Sequence, residues 1–354
     1  FMRLLNNFFG HFAKDIGVDL GTVNTLIYVK GRGIVINEPS LVALNKKTGQ
    51  ILAIGREARK MVGRTPGHIA AIKPLVDGVI SDFDVTEQML KYFFQKVHGD
   101  SFYMVPRPRV VIGIPSGVTE VEKKAVEEAA RNAGAREVML IEEPVAAALG
   151  ARLPVQEALG NMIVDIGGGT TEVAVISLGG LVAVRSLRVA GERLNEDIIQ
   201  LARDEYNLLV GPRTAEEVKI AVAAVVDLNE KLETTMRGRD LITGLPKEVV
   251  VTSKEVKRAI TKSVKTLVDV VREIVEQTPP ELLGDIMKRG IVLAGGGSLL
   301  RGIDELINKE TGIAVRVADD PLTAVARGTG IVLEETEKYR ELLAAKEYAT
   351  TPRE

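Results

Sequence analysis

The 354-residue sequence predicts an α/β fold of two similar domains, because one ordered series of motifs occurs twice along the chain. Each copy opens with an apolar run that ends in an aspartate, Asp19 or Asp165, and continues through a Gly turn into a second apolar run. Each copy then contains a strand, a helix, another strand and an acid–proline pair before an Ala-containing helix. Strands that alternate with helices favour a mixed sheet covered by helices, so we expect two related halves.

The openings of the two copies, residues 16–29 and 162–175, are predicted to be β-hairpins. β-Branched residues flank glycines on both sides, and glycine adopts the positive φ that tight turns require. The sequence therefore places a Gly turn after the same strand in each half.

The second part of each copy is predicted to be a strand, a helix, a strand and a further helix. Thr119 and Glu122 have the spacing of a capping box, which places a helix start there in the first half. The remaining predicted features are strands over 110–115, 138–141, 291–294 and 313–317, helix ends near Gly134 and Gly312, and acid–proline pairs at Glu143-Pro144 and Asp320-Pro321.

The chain is also predicted to carry one insertion in each half, near 41–78 and 189–250, because these segments have no counterpart in each other. The boundary between the halves is expected between 150 and 160, where Pro154 and two glycines bracket a polar stretch. The predicted division is an amphipathic segment over 1–14, a first half over 15–155, a second half over 156–333 whose last helices near 321–333 pack back on the first half, and a C-terminal helix and tail over 334–354.

Charge and composition exclude several classes of function. The 46 Lys and Arg against 48 Asp and Glu give a net charge of −2, so no general positive surface is available for a nucleic acid partner. The absence of Cys excludes disulfides, thiolate catalysis and Cys-ligated metal sites. The three His are too scattered to indicate a His-rich metal site.

Four of the eight Phe fall within the first twelve residues, although aromatic residues make up only 4% of the chain. The segment lacks the cleavage site of a signal peptide, and no run of about 18 apolar residues exists to span a bilayer. Two hypotheses remain, an amphipathic helix lying in a membrane interface or a segment that packs back on the protein. The apolar side chains concerned are Leu4, Leu5, Phe8, Phe9 and Phe12.

Three Gly turns at strand ends are candidates for binding phosphate, because glycine lets backbone N–H groups approach an anion closely. Neither a P-loop nor a dinucleotide-binding fingerprint is present, which excludes those two modes of binding. Each turn taken alone would be interpreted as a simple turn. The residues are Gly21 and Thr22; Gly167, Gly168, Gly169 and Thr170; and Gly295, Gly296, Gly297 and Ser298.

Three carboxylates are predicted to face a cleft between the halves. Asp19 and Asp165 end equivalent strands, so a pseudo-twofold axis would bring them together, and Mg²⁺ uses one or two carboxylates together with phosphate oxygens. Each Asp alone would be interpreted as a turn cap. Glu143 could orient or deprotonate a water for attack on a terminal phosphate, or it could stabilise only the start of a helix.

A helix start is predicted near residues 214–219, because Thr214 and Glu217 have capping-box spacing. Glu216 and Lys219, three residues apart on one helix face, could meet a ribose and a base.

These motifs together resemble those of the actin, sugar-kinase and heat-shock-chaperone ATPase superfamily, and within it the MreB-like bacterial actins. The likeness runs from Asp15 to about Leu333. The stretches around Asp19, Glu143 and Asp165 match signatures shared by the whole superfamily. The stretches typical of MreB-like proteins are 33–40, 63–66, 77–80 and 278–282.

The resemblance implies an actin-like fold of two RNase H-like halves, with ATP and Mg²⁺ bound between them and weak ATP hydrolysis coupled to polymerisation. It also implies paired filaments on the inner face of the cytoplasmic membrane that organise the cell-wall elongation machinery and rod shape. By position, Asp19 and Asp165 would hold magnesium through water, and Glu143 and Thr170 would position the attacking water. The residues that would contact the nucleotide are Thr22, Val23, Asn24, Gly167, Gly168, Gly169, Thr170, Ala215, Glu216, Glu217, Val218, Lys219, Gly295, Gly296, Gly297 and Ser298.

MreB-like proteins often combine an amphipathic amino terminus with an apolar loop that inserts into membrane. Phe102, Tyr103 and Met104 resemble that loop, which favours the membrane hypothesis for the first segment. Two positions depart from the family by losing a carboxylate: Asn195 stands where Asp is usual and Ala221 where many members have Glu. We therefore expect nucleotide-dependent closure or a filament contact to differ.

Two alternatives remain at the level of sequence. A small-molecule kinase of the same superfamily would need a cluster of acids and aromatic residues for its substrate, and neither insertion shows one. A scaffold that binds ATP without hydrolysing it stays open.

Overall fold

The computed structural model describes residues 14–99 and 107–343. In chain order the strands are β1 (Ile16–Leu20), β2 (Asn24–Val29), β3 (Gly33–Pro39), β4 (Val42–Asn45), β5 (Ile51–Ile54), β6 (Ile69–Ile72), β7 (Leu75–Val76), β8 (Val79–Ile80), β9 (Arg109–Ile114), β10 (Glu137–Glu142), β11 (Asn161–Ile166), β12 (Thr171–Ser177), β13 (Gly180–Leu187), β14 (Leu208–Leu209), β15 (Glu233–Asp240), β16 (Pro246–Thr252), β17 (Ile291–Ala294) and β18 (Val315–Val317). The α-helices are α1 (Arg56–Met61), α2 (Phe83–His98), α3 (Glu120–Asn132), α4 (Glu143–Gly150), α5 (Gly191–Tyr206), α6 (Pro212–Val222), α7 (Ser253–Gln277), α8 (Pro280–Arg289), α9 (Ile303–Thr311) and α10 (Ala324–Glu334).

Two five-stranded sheets with the same topology form the centre of the fold. One has the order β10-β9-β1-β2-β3 and the other the order β18-β17-β11-β12-β13. In each sheet three antiparallel strands are extended by two parallel strands. The two predicted hairpins are confirmed, and the identical strand order shows the duplication.

Three apolar clusters hold these layers together. One lies within each half, and the third lies between the two sheets, around α4 and α10. Every residue of α4 is buried, which is possible because its residues after Pro144 are mostly Ala and other small side chains. The helices α4 and α10 are therefore the layer that joins the halves.

The contact between α4 and α10 is reciprocal. A Cβ added at Gly150 would overlap the carbonyl group of Ala324, and one added at Gly328 would overlap the carbonyl group of Ala146. Glycine is required at both positions because the helix backbones touch. Each helix thus places a glycine against a carbonyl group of the other, as expected for two helices related by a pseudo-twofold axis.

Each half carries an inserted layer beside the main sheets. In the first half, β4, β5 and β6 form a three-stranded sheet with α1 packed on it. In the second half, β14, β15 and β16 form another three-stranded sheet next to α5 and α6. None of the helices in the described part of the chain is both long enough and apolar enough to cross a membrane.

Of the two capping boxes predicted from the sequence, the structure confirms one. The capping box of Thr119 and Glu122 is confirmed. The capping box predicted at Thr214 is wrong, because α6 begins two residues earlier at Pro212, with Gly211 before it and no side-chain cap. Proline fits the first helical position because its fixed φ suits the helix and its missing N–H would have no partner there.

The C-terminal prediction also differs from the structure. The helix expected from residue 334 is absent over 335–343, where the chain forms turns and the short 3₁₀ helix Arg340–Leu342. Tyr339 and Leu342 pack into the cluster between the sheets, so the chain turns back onto the body instead of continuing α10. Residues 344–354 lie outside the described part.

Candidate functional site

A cavity of about 490 Å³ lies between the two halves, a size typical of small-molecule sites. It is lined by the ends of β1 and β11, the Gly turns that follow them, and the starts of α4 and α5. Most of the predicted site residues line it, namely Asp19, Thr22, Val23, Asn24, Glu143, Asp165, Gly167, Gly168, Gly169, Thr170, Glu216, Lys219, Gly295, Gly296 and Gly297.

The Gly turns of the two hairpins meet at the base of the cavity. A Cβ at Gly168 would overlap the side chain of Val23, and one at Gly169 would lie 2.5 Å from Thr22 Oγ1. Thr22 Oγ1 also accepts a hydrogen bond from the backbone N–H of Gly78, at 3.0 Å. The glycines are therefore needed for close approach of the halves.

The start of α5 fixes the shape of the second turn. The backbone N–H of Gly191 donates to Gly167 O at 3.1 Å, and that of Glu192 donates to Gly168 O at 2.8 Å. Two carbonyls of the turn are thereby paired with helix N–H groups that have no partner within the helix.

Four acids lie together beneath the turns, and their electrostatics follow from burial. Burial raises the pKa of Asp19 to about 7. Burial, followed by the charge of Asp19, raises the pKa of Asp165 to about 7. The pKa of Glu143 lies well above its usual range, first because of burial and then because of the charges of Asp19, Glu172 and Asp165. The charges of the neighbouring acids therefore disfavour ionisation of Asp165 and Glu143, in addition to the effect of burial.

Glu172, the fourth acid, joins the two halves directly. Its Oε2 accepts a hydrogen bond from the backbone N–H of Ser116 at 3.2 Å, across the interface, and its Oε1 accepts one from Ser186 Oγ at 2.5 Å. Burial raises the pKa of Glu172 to about 7 although these hydrogen bonds oppose the shift.

The chemistry of this acid cluster fits a divalent cation held through water. Asp19 and Asp165 supply oxygen ligands on either side of the cleft, and burial raises the pKa of both carboxyl groups to about 7. Within residues 14–99 and 107–343, no three acidic or His side chains are grouped closely enough to bind a metal ion directly. The arrangement matches Mg²⁺, which keeps several of its waters.

Comparison with known proteins agrees with this geometry. The family model described as MreB/Mbl protein matches residues 13–341. The chain belongs to the MreB/Mbl family.

Curated members of the MreB/Mbl family match nearly the whole chain. The chain is 52% identical over 335 residues to the cell shape-determining protein MreB of Escherichia coli K12, covering 94% of this chain and 96% of that protein. It is 50% identical over 327 residues to the cell shape-determining protein Mbl of Bacillus subtilis, covering 92% of this chain and 98% of that protein.

Solved structures show that the fold is actin-like. MreB5 of Spiroplasma citri bound to ADP superimposes with a TM-score of 0.87 at 41% identity, covering 92% of this chain and 98% of that one. The same protein bound to AMPPNP gives a TM-score of 0.86. The MamK double helical filament shares the fold with a TM-score of 0.76 at 24% identity, covering 90% of this chain and 98% of that one.

Asn195, at the position where the family resemblance predicts Asp, forms a hydrogen bond with Glu216. Asn195 Nδ2 donates to Glu216 Oε2 at 2.7 Å, and Lys219 Nζ donates to the same oxygen at 2.7 Å. Burial would raise the pKa of Glu216, but the charge of Lys219 and these two hydrogen bonds lower it below its usual value. An Asp at position 195 would place a second carboxylate against Glu216.

Four predicted nucleotide contacts do not line the cavity. Ala215 and Val218 are buried in the core of the second half, Glu217 is exposed on another face of α6, and Ser298 is buried with its hydroxyl donated to Gly295 O at 2.7 Å. An i, i+3 spacing was sufficient to bring Glu216 and Lys219 to one face, and the residues between them necessarily point elsewhere.

Several residues that line the cavity were not predicted from the sequence, because they come from segments outside the motifs. Residues outside the motifs of the sequence analysis that line it include Gly191, Glu192, Leu194, Ile220, Ala223, Leu299, Leu300, Arg301 and Leu322. The spacing of the motifs gave no signal for them, since only tertiary packing brings α5 and the second insertion to the cleft. The predicted membrane residues Leu4, Leu5, Phe8, Phe9, Phe12, Phe102, Tyr103 and Met104 lie outside the described residues.

Proposed function

We propose that this protein is an ATP-dependent, membrane-associated actin-like filament protein that organises cell-wall synthesis and determines cell shape. The observation that carries the proposal is the cavity where matching Gly turns from both halves meet above the acid cluster. The names of the curated relatives support the role in cell shape, and the ADP-bound and AMPPNP-bound relatives support binding of an adenine nucleotide.

Hydrolysis is assigned to Glu143 and Thr170. Asp19 and Asp165 would hold Mg²⁺ through water, and that ion, when bound, supplies positive charge against the phosphate oxygens. Glu143 orients the attacking water and accepts its proton, and the raised pKa of its carboxyl makes it a stronger base once ionised. Thr170, at the end of the second turn, fixes the position of that water.

Self-association is supported by apolar surface at the tip of the second insertion. The turn between β15 and β16 exposes Leu241, Ile242 and Leu245, with 78% of Ile242 accessible. Apolar groups grouped at an exposed turn are typical of protein contact sites. A polymer uses such a surface repeatedly, because a head-to-tail contact leaves each end open to the next subunit.

Membrane association is supported by the contacts of Lys14 and Asp15 with residues that flank the predicted membrane loop. Lys14 Nζ donates to Val97 O at 3.1 Å, and Asp15 Oδ1 accepts from the backbone N–H of Arg109 at 2.9 Å. Residues 14 and 15 therefore lie beside Val97 and Arg109, which come before and after the predicted membrane loop in the chain. The segment before residue 14 and this loop both contain residues predicted to insert into membrane, so two anchors would act on one edge of the molecule.

Nucleotide turnover and assembly can be tested together with one pair of variants. We expect Glu143→Gln to bind ATP and sediment with it while phosphate release falls about 100-fold, because only the proton acceptor is removed. Glu142→Gln is the matched control, since Glu142 is the preceding residue and does not line the cavity.

Each outcome of this experiment separates the alternatives. Phosphate release that is equal in Glu143→Gln and the parent would contradict the role of Glu143. Absence of ATP-dependent sedimentation in the parent would contradict filament formation. ATP binding and sedimentation without any phosphate release would identify the non-hydrolysing scaffold.

A further inference from the structure

A second, more open cavity adjoins the first and carries the opposite charge. Its volume is about 490 Å³, and Asn24 lines both cavities. We call this second cavity the vestibule; its charged lining consists of Arg56, Arg59, Lys60, Arg213 and Glu217. The three cations of α1 belong to the first insertion, and Arg213 on α6 belongs to the second, so the vestibule lies between the two insertions.

The cations of the vestibule outnumber the acids that face them. Arg213 Nε lies 2.9 Å from Glu217, the one carboxylate in the lining. Arg59 is near enough to Glu216, in the inner cavity, for its positive charge to help lower the pKa of that acid. Among the described residues that line the vestibule, four cations and one acid give an excess of three positive charges, although the chain as a whole carries −2.

Two further acids lie close to the vestibule without neutralising it. Lys60 Nζ pairs with Glu57 at 2.7 Å, but both side chains are more than half exposed, so the pair contributes little. Arg56 Nε is 3.9 Å from Glu38, whose other oxygen already accepts from Lys96 Nζ at 2.8 Å. The positive charge of α1 therefore stays available to a ligand.

The charge of the inner cavity makes a positive surface beside it relevant to nucleotide binding. A nucleoside triphosphate carries several negative charges, and the inner cavity presents the carboxyl groups of Asp19, Asp165 and Glu143, which repel it when they are ionised. A cleft of one sign of charge concentrates an oppositely charged ligand and raises its association rate constant by 10- to 1,000-fold. The basic cavity is also lined by Asn24, one of the residues predicted to contact the nucleotide.

We propose that the vestibule is an anion-capture site that attracts the triphosphate of the incoming nucleotide before it enters the inner cavity. This inference rests on the proposed binding of ATP. The vestibule acts on the encounter, and the contacts of the bound nucleotide lie in the inner cavity. Association is therefore expected to depend on the vestibule and on ionic strength, whereas dissociation is expected to depend on the inner cavity.

The test is stopped-flow binding of a fluorescent ATP analogue with Mg²⁺ to the full chain, between 20 and 500 mM salt. We expect Arg59→Gln/Lys60→Gln to lower the association rate constant about tenfold at the lowest salt, with a smaller salt dependence and an unchanged dissociation rate constant. Glu217→Gln removes the one acid of the lining and should raise the association rate constant.

Two controls keep the result specific. Lys124→Gln makes the same type of charge change at an exposed lysine of α3, outside the vestibule, and should leave both rate constants unchanged. Arg59 and Lys60 also lie in the last turn of α1, where positive charge stabilises a helix, so circular dichroism must show that the double variant folds.

The possible failures are distinguishable. If the parent binds the analogue but the double variant associates at the same rate with the same salt dependence, the capture site is contradicted alone. The same conclusion follows if only the dissociation rate constant changes, because the cations would then hold bound nucleotide. If the folded parent binds no analogue at any salt, the proposed function is contradicted and the inference with it.

Discussion

The acids of the cluster, which are proposed to serve function, lower the free energy of unfolding when they are ionised. Asp165 is only 6% exposed and lies near Asp19, and its pKa is raised to about 7. A carboxyl with a raised pKa binds its proton in the folded protein while the unfolded chain has released it. Between about pH 4 and 7 the native state therefore holds more protons, and the free energy of unfolding falls as the pH rises through this window.

We expect Asp165→Asn to raise the free energy of unfolding by about 2 kcal/mol at pH 8, because the amide removes a buried charge. The gain should shrink as the pH is lowered towards 4, where the parent carboxyl is neutral in both states. Chemical denaturation without nucleotide or magnesium at several pH values measures this. Asp269→Asn, at an exposed site on α7, is the control, and a gain of equal size at pH 5 and pH 8 would contradict the explanation.

At the scale of elements, the crossing of α4 and α10 decides how the halves are joined. Gly150 and Gly328 lie against the carbonyl groups of Ala324 and Ala146, so the helix backbones are in contact. The small and apolar residues of each helix are typical of a helix buried on most sides, but they do not reveal which helix is its partner. The structure shows that α4 and α10 pack against each other. It therefore identifies Gly150 and Gly328 as positions where a side chain would not fit.

Gly328→Ala should destabilise the protein by about 3 kcal/mol, because the added methyl group overlaps the backbone of α4. The matched control is Gly284→Ala in α8, where a Cβ would meet nothing within 4 Å and where the better helix former should add about 0.5 to 1 kcal/mol. Thermal or urea denaturation measures both. Equal effects of the two substitutions would show that the helices do not cross as described.

At the scale of the whole molecule, the arrangement of charged and apolar surfaces gives the protein distinct sides. The vestibule opens between the insertions, the acid cluster lies deep in the cleft, and the segments predicted to meet membrane join the body near Lys14 and Arg109. A filament built from this molecule could therefore keep its nucleotide cleft and its membrane edge apart.

Removal of residues 1–12 should release filaments from vesicles of anionic lipid, because it removes most of the apolar surface predicted to insert. Co-sedimentation or flotation with vesicles measures binding, and sedimentation without lipid shows whether assembly is retained. As a matched control, Tyr92→Ser removes a partly exposed aromatic side chain from α2 and should leave membrane binding unchanged. Persistent vesicle binding of the truncated protein would assign the anchor to the loop with Phe102, Tyr103 and Met104.

The sequence alone determined the duplication, the paired hairpins and the turns and acids that line the cavity. These features were readable because each depends on local chemistry: glycine for a turn, β-branched residues for a strand, and a carboxylate at a strand end. The predicted start of α6 at Thr214 is wrong. The capping-box spacing of Thr214 and Glu217 favoured that start, but Pro212 fits the first helical position better.

Only the tertiary structure decided which distant groups share an environment. It brought Asp19, Asp165, Glu143 and Glu172 together in the cleft, where removal from solvent raises their pKa values. It also brought α1 and α6 to opposite sides of one basic cavity. Burial and the distance between charges depend on contacts between residues far apart in the chain, and the spacing of residues along the sequence does not specify them.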